Sequence, residues 1–343
     1  MDLLMSLPIA SYFFSSSLTS WSTSLNLLFF YMTWSTLVLS HSPLKIELIA
    51  TTALRIVFWL VPSLFFLLVD TLLPSLSESI KHNGPRSLPP RDPVALSRLV
   101  GLALLNLALS TAAEAGLSSL IALATKRPVF HTATTLPLPW QIAKHLVLLF
   151  LLREVFTYLI HRHLLHNPSS PSPLPRRLTA LHASHAHSHP GPHALLHNVD
   201  HPLPFLLHRF VPLYLPAAAL SVLPLPFAVA GGGIHLLTYL LFIALATVES
   251  TLAMSGYTVV PGILMGGVTR RTAAHYACRG RGNYGCWGVM DWACGTSVGG
   301  SDVVGDVKRE ADKHRLGEKS EGAMRDGMEG LRRSMRVRSK RAE

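Results

Sequence analysis

The sequence predicts an all-α membrane protein, a polytopic bundle of about four to six spans with a His-rich helical cap on its cytosolic side. Hydrophobic residues make up 49% of the 343 residues and charged residues only 14%, against roughly 25% charged in an average soluble domain. The apolar residues are grouped in runs of about 20, the length that a helix needs to cross a bilayer. Between these runs, eleven of the 18 histidines fall in one polar stretch, from His161 to His208.

Six apolar runs are the candidate spans, and they lie at residues 25–39, 48–73, 99–124, 140–160, 203–230 and 233–253. The segments 75–98 and 161–202 are rich in Pro, charged residues or His and are predicted as loops. The chain then divides into N-terminal spans with a loop (1–135), a domain that contains the histidines (140–305), and a charged, partly disordered tail (306–343).

Ionisable residues inside the runs are candidates for function, because charge in a membrane is costly. Glu114 lies within the third run and Arg55 near one end of the second. Arg153 and Glu154 are predicted to anchor the fourth run at the membrane edge as a neighbouring pair. For Glu249 two interpretations stay open: it faces headgroups at a helix end, or it reaches the histidines.

The formal net charge of +11 is assigned to membrane topology and not to nucleic-acid binding. Basic residues cluster in the loops and in the tail, most densely at 332–341, as the positive-inside rule requires. This bias places the N-terminus, both loops and the tail in the cytosol. Lys126 and Arg127 are the one exception, since this topology puts them on the lumenal side. The N-terminus lacks the basic region of a secretory signal, which favours an uncleaved first span, and three cysteines without a close pair predict reduced thiols.

The histidines form groups with spacings that suit metal binding, since imidazole is the commonest metal ligand. The first group is His161, His163 and His166, and the second is His182, His185, His187 and His189. The third, His193, His197 and His201, has successive i, i+4 spacings, limited by Pro192 and Pro202. His161 and His166 are five residues apart, so they converge only where a regular helix ends. A loose metal-binding His tract is the alternative interpretation.

Ordered blocks of sequence resemble the membrane fatty acid hydroxylase and sterol desaturase superfamily. The blocks are REVFTYLIHRHLLH, LHASHAH, HNVDHPLPFLLHRFVPLYLPA, ESTLAMSGY, and RRTAAHY followed by GRGNYGCWGVMDWACGTSVG. The resemblance implies a cytosolic di-iron centre held by histidines that uses O2 to hydroxylate or desaturate a lipid, sterol or fatty acyl. It also implies lipid biosynthesis in the endoplasmic reticulum, with cytochrome b5 or an NAD(P)H-dependent reductase as electron donor.

The family's ligands are carried over position by position. His161 and His166 fit the first histidine motif, His182 and His185 begin the second, and His275 is the one histidine kept from the last. The third position of the second motif is Ala186, and Met254 and Thr272 stand where the family often has histidine. The predicted substitutes are His187, His189, His197 and His201, and His187 requires the helix to end or bulge after His185. No catalytic residue beyond these metal ligands is predicted.

Two other functions compete with the lipid hydroxylase or desaturase. A pseudoenzyme would keep the fold and have impaired metal binding at the altered motifs. A metal transporter with a His-rich loop would need matched polar ligands at mid-membrane, and His145, Glu114 and His235 offer no obvious set. The motif at 280–285 is glycine-rich but lacks the strand and helix context of a nucleotide site.

Overall fold

The computed structural model describes residues 18–223, 233–260, 263–300 and 302–313, and these residues form helices with no β-strand among them. This confirms the all-α fold class. In chain order the helices are α1 (Leu18–Ser40), α2 (Pro43–Leu72), α3 (Pro74–Ile80), α4 (Pro93–Thr125), α5 (Pro139–Ile160), α6 (Pro173–His185), α7 (Pro202–Val222), α8 (Leu236–Ser255), α9 (Ile263–Ala277), α10 (Val289–Ala293) and α11 (Val303–Lys313).

Within the described ranges, four helices are long and apolar enough to cross a membrane: α2, α4, α7 and α8. Two of the six predicted runs do not qualify. The apolar part of α1 is short, and α5 contains Lys144, Arg153 and Glu154. The end of the fifth run, at 224–230, and the basic segment at 332–341 lie outside the described residues.

The outer surface of the bundle is apolar, which is the reverse of a soluble protein. Large side chains along the spans are exposed, for example Phe65 at 60% and Leu120 at 63%. Exposed apolar surface of this extent marks contact with lipid. The chain is therefore a membrane protein, as its composition predicts.

Local sequence explains where the helices begin. Proline occupies the first turn of α2 to α7, where its missing N–H costs nothing. Asp92 also caps α4, because its carboxylate accepts hydrogen bonds from the Val94 and Ala95 amides. Three π-helical turns interrupt or extend these helices, at Ile56–Leu60, His161–Leu165 and Leu206–Phe210.

The buried charges of the spans are paired between helices. Arg55 of α2 and Glu114 of α4 form an ion pair of 2.6 Å, and the Tyr239 hydroxyl of α8 donates to Glu114. The Glu114 carboxylate therefore already binds two protein groups and is not available to bind a transported metal. Lys81 and Asp70 form a second buried pair.

The prediction for Arg153 and Glu154 is wrong, because these neighbours do not anchor the span at its edge. Both are buried inside the protein. Arg153 contacts Glu249 and Ser250 of α8, and Glu154 accepts from the amides of Trp287 and Met290. Their side chains point in different directions, so they join α5 to α8 and to the loop before α10.

Helix α4 connects the two ends of the bundle. In the first half of this helix, the Asn106 amide donates to the carbonyls of Asn198 and Asp200 in the His-rich segment. The helix ends 19 residues later at Thr125, a rise of about 30 Å at 1.5 Å per residue. Lys126 and Arg127 therefore lie about one hydrocarbon thickness from the His-rich segment.

Candidate metal centre

Four histidines from three parts of the chain meet at the cap end of the bundle. Each of them offers a ring nitrogen, and these nitrogens all lie within 4.8 Å of one another. Their Nε2 atoms are 3.1 Å apart between His161 and His166, 3.2 Å between His166 and His187, and 3.2 Å between His187 and His275. Two tetrahedral metal–imidazole bonds of about 2.0–2.1 Å would hold their nitrogens about 3.3 Å apart.

A π-helical turn brings the first two histidines together. In an α-helix, residues five apart point about 140° away from each other. The turn His161–Leu165 has the wider i, i+5 pattern, so His161 and His166 lie one above the other with ring centroids 4.7 Å apart. The sequence predicted convergence through a helix end at Asn167–Pro168; the π-helical turn that achieves it was not predicted.

His187 reaches the cluster in the way the sequence predicts. Helix α6 ends at His185, and the His187 amide then turns back toward the carbonyl of His182. This hydrogen bond joins residues five apart, as in the π-helical turn at His161. His187 thereby occupies the place left by Ala186, which is buried beside it.

His275 lies near the end of α9 and is held by the loop that follows. Its Nδ1 donates to the carbonyl of Gly282 at 2.6 Å, and the Gly280 amide donates to the His275 carbonyl. His161 has a similar partner, since its Nδ1 donates to the carbonyl of Tyr284. Partners of this kind fix the tautomer of a metal-binding histidine and leave its Nε2 lone pair free.

The tautomers of these two histidines favour a bound cation over hydrogen bonds between the imidazole rings. With Nδ1 donating to a carbonyl, the Nε2 atoms of His161 and His275 can only accept. The two remaining neutral rings carry at most one Nε2 proton each. The three consecutive Nε2 contacts therefore cannot all be hydrogen bonds: at least one sets two donors or two lone pairs face to face. A metal ion bound by all four lone pairs would remove this conflict.

Burial keeps the four rings in the neutral form that binds metal. It lowers the pKa of His187 to about 2 and that of His275 to about 4, and neighbouring histidines add to the effect. The pKa values of His161 and His166 are lowered further by the same causes. A charged imidazole is disfavoured because water cannot reach it and nearby rings compete for protons.

Two more histidines lie beside the four. The His182 ring centroid is 5.0 Å from those of His166 and His187. Its Nδ1 contacts Asp200 at 2.6 Å, while its buried Nε2 has no hydrogen-bond partner among the described residues. His208 stacks on His161 with ring centroids 4.1 Å apart. The sequence prediction included His182 and missed His208, whose isolated position in an apolar helix carries no spacing signal.

Other predicted ligands do not join the cluster. His185 donates from Nδ1 to the Leu181 carbonyl and its ring contacts that of His201, 5.3 Å away. His197 lines the same cavity as the cluster but shows no ring contact with it. His193, His197 and His201 do not share a helix face, because only a short 3-10 helix, Ala194–Asn198, forms between the prolines.

The blocks without histidine build the scaffold. The Asp291 carboxylate accepts from the amides of Tyr284 and Gly285 and from the Thr296 hydroxyl. These bonds fix the loop whose carbonyls orient His161 and His275. Glu249 does not face headgroups: its carboxylate contacts Arg153 and the Trp287 indole. Its side chain also lines the cavity that holds the histidines.

The loop also needs a glycine against His166. Gly280 has φ +75°, and a Cβ there would lie 2.2 Å from Cε1 of His166. We expect Gly280→Ala to displace the His166 ring and lower metal content severalfold, measured by mass spectrometry of the purified protein. Gly295 is a matched control, since it has φ +65° with nothing within 4 Å of its Cβ position. An equal loss in Gly295→Ala would mean that backbone strain, and not contact with His166, causes the effect.

Comparison with known proteins supports the interpretation of this domain. Residues 146–296 match the family model described as fatty acid hydroxylase. This range contains all six clustered histidines and the loop that orients them. No solved structure matches the chain.

Proposed function

We propose that this chain is an iron-dependent oxidoreductase that hydroxylates or desaturates a lipid with O2, because its residues 146–296 match the family model described as fatty acid hydroxylase. The observation that carries the proposal is the convergence of four neutral histidines at one end of a membrane bundle. An all-imidazole set suits iron among other transition metals. Iron bound there would supply the activation of O2.

The residues of the chain prepare the site in three ways. His161, His166, His187 and His275 would hold the metal, with His182 and His208 beside them as further donors. The carbonyls of Gly282 and Tyr284 orient two of the rings. The surrounding cavity is lined by apolar groups that include Leu196, Val199 and Met254, which limits the access of water to reactive oxygen species.

Metal analysis combined with product analysis tests the proposal. Purified protein should contain about two irons per chain if the family's di-iron centre is kept. Membranes that express it should form an oxidised lipid only with O2 and an NAD(P)H-driven electron donor. Absence of bound metal together with absence of product would favour the pseudoenzyme. Bound metal that moves across vesicles without lipid oxidation would favour the transporter.

The proposal also places the centre in the cytosol, with the protein in the endoplasmic reticulum. A glycosylation acceptor inserted at Ser172, exposed before α6, should remain unmodified in microsomes. An acceptor in the Lys126–Arg127 turn, at the other end of α4, should be modified, because the positive-inside bias assigns it to the lumen. The reverse pattern would invert the orientation and contradict a cytosolic centre. Arg336, an equivalent cytosolic prediction, lies outside the described residues.

A further inference from the structure

Arg209 is a cation that faces the cavity of the His cluster without a protein partner. It belongs to the π-helical turn Leu206–Phe210, next to His208. Its side chain lines two neighbouring cavities, the one around the histidines and a second one toward Arg55 in the bundle. Among the residues that the structure describes, none forms a hydrogen bond or an ion pair with the Arg209 guanidinium.

The carboxylates of this cavity are already occupied. Asp200 contacts His182 through one oxygen and accepts from the His201 amide through the other. Glu249 is paired with Arg153. Each acid therefore has another hydrogen-bonded partner. Asp200 still interacts electrostatically with Arg209, but among the described residues neither acid forms a hydrogen bond or an ion pair with it.

A second polar group beside Arg209 also lacks a partner. His197 lines the same two cavities, and its buried Nδ1 has no hydrogen-bond partner within the described ranges. Burial holds the pKa of His197 well below its usual range, and the nearby arginines Arg209 and Arg153 lower it further. A neutral imidazole can still donate one hydrogen bond from Nδ1.

A half-buried guanidinium without an ion-pair partner is costly, and arginine cannot escape that cost by losing its proton. In membrane proteins such a charge marks a ligand or a pathway. An anionic oxygen group would match the planar donors of Arg209 and the Nδ1 of His197 together. The apolar lining of the cavity matches a hydrocarbon chain attached to that group.

We propose that Arg209 and His197 bind the anionic head group, a carboxylate or a phosphate, of the lipid on which this protein acts. The assignment rests on the proposed function and adds the class of substrate to it. Both residues line one cavity together with three of the four histidines, His161, His187 and His275. A lipid held by its head group at Arg209 therefore has its first carbons in the cavity of the metal centre.

Equilibrium binding to the purified full-length protein in neutral detergent tests this assignment. The probes are palmitate, a lysophosphatidate with the same acyl chain, and methyl palmitate as the uncharged control. We expect the wild-type protein to prefer one of the two anions to the ester. Arg209→Gln should weaken binding of that anion by about 10-fold to 100-fold, the range for a hydrogen bond to a charged group, and leave ester binding unchanged.

Three further variants make the outcome decisive. Arg209→Lys, which keeps the charge, should retain part of the preference, and His197→Ala should lose part of it. Arg177→Gln, which removes an exposed charge on α6, should behave as wild type. Equal binding of acid and ester by the wild type, or equal loss of both in Arg209→Gln, would overturn the proposal. Metal-depleted protein should keep the preference, so this result is independent of whether the lipid is oxidised.

Discussion

His187→Ala is expected to remove most of the bound metal, about as much as His161→Ala. The Nε2 of His187 lies 3.2 Å from those of both His166 and His275, so the variant removes the metal ligand that lies between these two histidines. Loss of an outer-shell partner already lowers metal affinity about 10-fold to 100-fold, and loss of a ligand should exceed that. Iron per chain, measured by mass spectrometry after gel filtration, reports the effect.

His185→Ala is the matched control, because His185 lies two residues earlier and belongs to the expected family motif. Its ring is turned toward Leu181 and His201, so its loss should leave the iron content unchanged. Unchanged iron in His187→Ala would remove the idea that His187 replaces the missing histidine at Ala186. The pseudoenzyme would then be the favoured function.

Glu114→Leu is expected to destabilise the bundle by about 3–5 kcal/mol, the cost of breaking a buried ion pair. The variant leaves Arg55 charged with a side chain only 10% exposed and removes the acceptor of the Tyr239 hydroxyl. The readout is the thermal unfolding midpoint of the purified protein in detergent. A large decrease is expected, since a lone charge inside a membrane domain has no solvent to stabilise it.

The double variant Arg55→Met with Glu114→Leu shows whether the loss of stability comes from the unpaired charge or from altered packing. Replacing both partners with apolar groups of similar size removes the unpaired charge, so most of the lost stability should return. A double variant as unstable as Glu114→Leu would show that packing or the Tyr239 hydrogen bond dominates. Additive losses from the two single changes would show that the charges do not interact.

The sequence by itself determined the class of fold, the membrane location and the part of the chain that holds the centre. These properties follow from patterns along the chain: apolar runs of bilayer length, basic loops, and histidines concentrated in one polar stretch. The family motifs then identified His161, His166 and His275. The prediction that the helix must end or bulge after His185 identified His187, because the side chain of Ala186 offers no metal ligand.

Only the tertiary structure decided which histidines meet. Regular helical spacing favoured His185 and gave no reason to choose His208, yet π-helical turns and the loop at 278–288 set the directions of the rings. The same holds for the charges, since Arg55 and Glu114 are 59 residues apart and Arg153 faces Glu249 instead of its neighbour Glu154. Such pairings depend on how helices pack against one another. In a membrane a buried charge is costly, so it is stabilised by the opposite charge that the packing places next to it.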